Sequence, residues 1–178
     1  MRRHRGRHQR RSIRLRNYDY SQAGYYYVTI CTQDRICLFG RVREGHVCLN
    51  RLGLLVKRYW RWLPLRYSYV KLDKWVIMPN HLHGIVVIAD ENVCRGGSRT
   101  APTAVVPRRK ALGRLIGAFK TASTKEINKI IKTPGRPIWQ RNFYDHVIRS
   151  ETELRLIREY IVNNPLKWEL DRNNPANW

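Results

Sequence analysis

Two apolar segments separated by only two residues restrict most sharply how this chain folds. Leu72–Met78 and His81–Ile88 are rich in β-formers, and only Pro79-Asn80 lies between them. So short a connection cannot support a parallel crossover, so the two strands pair antiparallel. Tyr25–Cys31 reads as another strand, and Cys37–Val42 and His46–Leu49 flank a hairpin turn at Arg43-Glu44-Gly45. Elsewhere the spacing turns helical. From about Arg51 to Leu63, apolar residues recur at Leu52, Leu55, Tyr59 and Leu63, with Asn50 as N-cap and Pro64 at the end. A second helix spans about Lys110–Ile131 and carries Leu112, Leu115, Ile116, Phe119, Ile127 and Ile130 on one side; Thr133-Pro134-Gly135 ends it. Ile138–Ile148 is a short extended or irregular stretch. Ser150 and Glu153 then match a capping box for a last helix that runs to about Asn164 and stops at Pro165.

Strands mixed with helices and joined partly by hairpins make an α+β fold. The expectation is a central antiparallel sheet of about four to five strands, flanked by helices. The chain has 178 residues, room for one ordinary domain. That domain is expected over 18–178, with a flexible Gly/Pro/Ser/Thr-rich loop at 90–110, behind a basic disordered arm at 1–17.

The charge points to a polyanion. Lys and Arg number 35 against 13 Asp and Glu, a net +22. The arm alone holds Arg2, Arg3, Arg5, Arg7, Arg10, Arg11, Arg14 and Arg16 and no acid. DNA, RNA or an acidic membrane surface would all attract such a chain. Membrane binding is disfavoured, because no basic segment pairs with an apolar stripe at helical spacing, and no run of about 18 apolar residues exists. The four cysteines form no CxxC pair, so they read as free thiols in a reducing cytoplasm. Six Trp and ten Tyr offer stacking faces for unpaired bases, although core packing explains most of them equally well.

His81 and His83 are one residue apart on a strand, so both imidazoles project from one face, with Cα atoms about 6.5–7 Å apart. That spacing suits a two-ligand metal clamp, and it equally suits two half-buried histidines. On the last helix, Tyr160 and Asn164 lie one turn apart and project together. Asn164 offers an amide oxygen as a third ligand, and Tyr160 offers a phenol as a nucleophile. A core tyrosine and a helix-terminal asparagine before proline would look the same.

Three blocks in order carry a family likeness. They are Trp75-Val76-Ile77-Met78-Pro79-Asn80-His81-Leu82-His83-Gly84; Trp139-Gln140-Arg141-Asn142-Phe143-Tyr144-Asp145-His146-Val147-Ile148-Arg149; and Tyr160-Ile161-Val162-Asn163-Asn164-Pro165. Together they resemble the REP-associated tyrosine transposases, single-tyrosine members of the HUH (His-hydrophobe-His) nuclease superfamily. The likeness runs from about Ser12 to Asp171. It implies a ferredoxin-like HUH sheet, His81, His83 and Asn164 as metal ligands, Tyr160 as nucleophile, and Mg²⁺ or Mn²⁺ as cofactor. It also implies a palindromic, REP-like hairpin of single-stranded DNA as substrate, nicked and rejoined through a 5′-phosphotyrosine in DNA transposition and recombination. Imidazoles alone also suit Zn²⁺.

Lys120, Arg141, His146, Arg149 and the arm arginines are the candidate DNA contacts, and a solvated basic face would contain the same residues. His146 is equally a packed residue near the start of the last helix. A cytoplasmic, nucleoid-associated protein follows, with a homodimer among its possible states. The competing expectation is a non-catalytic hairpin DNA- or RNA-binding protein.

Overall fold

The computed structural model describes Leu15, residues 17–90 and residues 109–177. The eight arm arginines and most of the 90–110 loop lie outside these described residues. The element order is β1 (Gly24–Cys31), β2 (Gly40–Arg43), β3 (His46–Leu49), α1 (Arg51–Arg66), β4 (Val70–Ile77), β5 (His81–Ile88), α2 (Leu112–Ile131), β6 (Tyr144–Ile148) and α3 (Glu151–Asn163). Short 3-10 turns follow at Pro165–Leu170 and Pro175–Asn177.

The central sheet has four strands in the order β4-β5-β1-β6, all antiparallel, and β2-β3 form a separate hairpin. This is the α+β architecture expected. The stretch read as extended or irregular supplies the edge strand β6, because Tyr144–Ile148 finds a partner in β1. Pro64 does not end α1 but sits inside its last turn.

Caps fix two helices. Asn50 Oδ1 accepts from the backbone N–H groups of Leu52 and Gly53, satisfying two of the first-turn donors of α1. Ser150 Oγ accepts from the N–H of Glu153 at 3.2 Å. The expected reciprocal bond is displaced by one residue: the Glu153 carboxylate takes the N–H of Arg149 rather than that of Ser150.

Strand alternation sends the side chains to two cores. Tyr26, Val28, Ile30, Leu82, Val86 and Ile88 face α1 and α2, where Trp60, Leu115 and Phe119 complete the larger cluster. Ile85 and Ile148 face the other way and meet Leu154 and Ile161 of α3 in a smaller cluster. Gly84 has a packing reason. A Cβ there would stand 2.7 Å from Cζ2 of the buried Trp60 indole. On the α3 face, period-two alternation leaves Tyr27, Thr29, His81 and His83 on neighbouring strands, Thr29 being in register with His83.

Candidate metal and nucleophile site

The two histidines converge. Nε2 of His81 lies 3.0 Å from Nε2 of His83, and both side chains are buried. Each ring is held from behind by its other nitrogen. Nδ1 of His81 lies 2.8 Å from Oδ1 of Asn80. The Asn80 amide nitrogen donates to the carbonyls of Arg35 and Asn173, so the oxygen is left facing the ring. That oxygen can only accept, so Nδ1 of His81 carries the proton and Nε2 keeps its lone pair. Nδ1 of His83 meets two hydroxyls, Tyr27 Oη at 2.8 Å and Thr29 Oγ1 at 2.9 Å.

Burial favours neutral rings. It lowers the His81 pKa to about 4, against the opposing charge of Asp171. Burial, then the neighbouring His81, pushes His83 well below the usual histidine range. Both rings are therefore unprotonated at neutral pH, the state that binds metal.

Oxygen donors complete the set. A carboxylate oxygen of Asp171 and one nitrogen from each histidine lie within 4.8 Å of one another. Asp171 Oδ2 is 3.7 Å from His81 Nε2. The buried Oδ1 of Asn164 and the buried Oδ2 of Asp171 have no hydrogen-bond partner among the described residues. A buried, unpartnered oxygen is costly unless something coordinates it. Two imidazoles with carboxylate and amide oxygens fit a divalent cation.

Tyr160 stands at the rim. Its ring centroid is 5.3 Å from that of His83 and 6.3 Å from that of Tyr27, and the residue remains 45 % exposed. Burial raises its pKa above the ordinary tyrosine value and Asp171 adds to the rise, opposed by Arg172 and by hydrogen bonds from Tyr27 and Asn164. The phenol is therefore protonated at neutral pH.

The fold thus brings His81 and His83 together with Tyr160 beside them and Asn164 next to Tyr160, although they come from two distant segments. Asp171, Asn80, Tyr27 and Thr29 were not singled out from sequence. Asn80 reads locally as a turn residue, and Asp171 reaches the histidines only because the Pro165–Leu170 turn carries the chain back over them. Period-two alternation does put Tyr27 and Thr29 on one strand face, but their contact with His83 depends on register.

His146 belongs elsewhere. It lies on β6, with Nε2 2.5 Å from Oε1 of Glu153 in the first turn of α3. Lys120 donates to the carbonyls of Gln140 and Asn142, bracing the loop before β6. Arg141 and Arg149 are exposed. Cys31, Cys37 and Cys48 are free thiols. Among the described residues no helix is long and apolar enough to cross a membrane.

No protein-family model matches the chain. An uncharacterised protein of Haemophilus influenzae is 39 % identical over 171 residues, covering 94 % of each sequence. The two proteins belong to one family. Among solved structures, a REP-associated tyrosine transposase bound to a REP hairpin aligns over 88 % of this chain and 74 % of its own, with a TM-score of 0.59 and 18 % identity.

This chain has the fold of that transposase.

That fold accounts for the placement above. The His-x-His strand lies inside the sheet, where pairing on both sides holds its two rings rigidly. The helix with Tyr160 and Asn164 lies across the same face.

Proposed function

We propose that this protein is a transposase-type enzyme that nicks and rejoins single-stranded DNA beside a palindromic, REP-like hairpin, through a 5′-phosphotyrosine on Tyr160. The observation that carries this reading is the convergence of the two buried imidazole Nε2 atoms and an Asp171 carboxylate oxygen beside an accessible phenol. The shared fold adds to it, since the solved transposase was bound to a REP hairpin.

His81, His83, Asn164 and Asp171 would hold the divalent cation, Mg²⁺ or Mn²⁺. When bound, that ion would polarise the scissile phosphate and offset its developing charge. Tyr160 Oη bonds to phosphorus as the bond from phosphorus to the 3′ oxygen breaks. The phenol loses its proton, and the leaving 3′ oxygen gains one. The phosphodiester energy is kept in the tyrosyl ester, so a 3′-OH rejoins the strand without a nucleotide cofactor. Tyr27 and Asn164 beside the phenol lower its pKa and so favour the phenolate as it forms.

The test incubates the protein with a labelled hairpin carrying single-stranded flanks and Mn²⁺, then runs a denaturing gel. A protein–DNA adduct is expected, abolished by chelator and by Tyr160→Phe. Cleavage that persists in the variant would mean that water attacks. Tight binding without cleavage in either metal would favour a non-catalytic hairpin-binding protein.

A further inference from the structure

The reverse side of the sheet carries a second feature that the proposed chemistry does not use. Between α1 and β4 runs an open groove of about 770 Å³. Its walls hold Lys57, Arg58 and Arg61 from α1 and Lys71 from β4, all exposed, and no acid lines it. Among the described residues none of the four is in an ion pair.

The sequence of α1 is unusual for a free helix face. It contains five cations and no acid, and Lys57 and Arg61 sit at i and i+4. Like charges at that spacing repel and weaken a helix. A merely solvated face would also be polar throughout. Here Leu54 is 56 % exposed and Leu65 is 85 % exposed beside the cations, and Leu72 and Trp75 are only partly buried. Cations along the walls with apolar and indole surface between them suit a nucleic-acid strand: phosphates meet the charges, and a base or sugar meets the apolar surface.

The groove is also close to the site. Val76 is in register with His83, and its neighbour Trp75 is in register with Gly84. Alternation sends Trp75 to the opposite face from His83, so groove and histidines lie back to back. β4 is an edge strand, with exposed Lys71 and Lys74 along it. The two faces therefore share the β4 edge and its cations.

We infer that the α1–β4 groove is a docking surface for the sugar-phosphate backbone of the DNA whose neighbouring segment occupies the histidine site. This rests on the function proposed above. It adds a second contact surface on the other face of the sheet.

The experiment measures anisotropy of the labelled hairpin with single-stranded flanks on the full chain, from 50 to 200 mM salt as in the usual range of such titrations. The variants are Lys57→Gln/Arg61→Gln/Lys71→Gln and, separately, Leu65→Glu, with melting temperatures as the control for folding. The triple variant is expected to bind more weakly and to lower the magnitude of the log–log salt slope by about 2–3, since each phosphate contact contributes roughly 0.7–0.9. Leu65→Glu, at a site too exposed to disturb folding, is expected to weaken binding too. Unchanged affinity and slope in both folded variants would overturn the inference. So would variants that keep DNA binding but lose binding of a Glu/Leu amphipathic helical peptide, which would assign the groove to an acidic protein segment. A lowered slope supports the groove whether or not the wild type forms a tyrosyl adduct, whereas a missing adduct bears on the catalytic reading alone.

Discussion

The ring of Tyr160 meets that of His83 edge-on, with centroids 5.3 Å apart and planes inclined by 71°. The phenol is thus beside the ligand cluster while its residue stays half open to solvent. Tyr160→Phe removes one hydroxyl from a partly exposed position. Stability should change by no more than about 0.5 kcal/mol, in the range of surface substitutions. Mn²⁺ and hairpin affinities should stay at wild-type values, by calorimetry and anisotropy. A tenfold loss of metal affinity would make the phenol a ligand and not a nucleophile.

Asn80 joins three parts of the molecule, the His81 ring and the carbonyls of Arg35 and Asn173. Asn80→Ala leaves all three groups without their partner. The expected cost is about 1–3 kcal/mol in urea unfolding. Freed to rotate or change tautomer, His81 should bind Mn²⁺ about 10–100-fold more weakly, as when other partners behind metal-bound histidines are removed. Asn80→Asp accepts from His81 but cannot donate to the carbonyls, so it should keep more metal affinity than stability. Equal losses in the two variants would refute this division of roles.

Acid should weaken the metal-free protein in a defined window. Both histidines have pKa values lowered in the fold, His81 to about 4 from an ordinary value of about 6.5. As pH falls below about 6.5 the unfolded chain takes up protons that the folded chain refuses. Stability is therefore full above about 6.5 and declines as pH drops towards 4. His81 and His83 act in the same direction, so the loss belongs to the pair. Urea midpoints at pH 7 and pH 5 in chelator check this, and His81→Gln/His83→Gln should flatten the profile.

Gly84→Ala puts a methyl group 2.7 Å from Trp60 and 3.1 Å from the Cβ of Trp75. Neither neighbour is the loose end of a flexible chain. Overpacking of this kind costs about 1–3 kcal/mol, or about 2–4 °C of Tm per kcal/mol at this size. Thermal melting reads it directly. No loss of Tm would mean that the Trp60 indole yields easily.

Local order was legible before any tertiary structure. Helix periodicity and the caps at Asn50 and Ser150 placed α1 and α3, and the two-residue Pro79-Asn80 link made β4 and β5 antiparallel neighbours. Alternation put both histidines on one face, and one turn of helix joined Tyr160 to Asn164. These relationships follow from fixed backbone periods, so they need only neighbouring residues. Family likeness, not periodicity, joined the two pairs into one site.

Non-local geometry settled the rest. Tyr144–Ile148 became a strand because β1 had an open edge to offer it. Asn80, which reads as a turn residue, turned out to orient His81 because Arg35 and Asn173 converge on its amide from distant segments. Glu153 turned from a purely local cap to His146 and Arg149. Asp171 joined the histidines across some ninety residues of sequence because a 3-10 turn redirects the chain. Sequence periodicity states which way a side chain points from its own element. What it meets there depends on how elements far apart in the chain pack, because burial and hydrogen-bond satisfaction are properties of the whole fold.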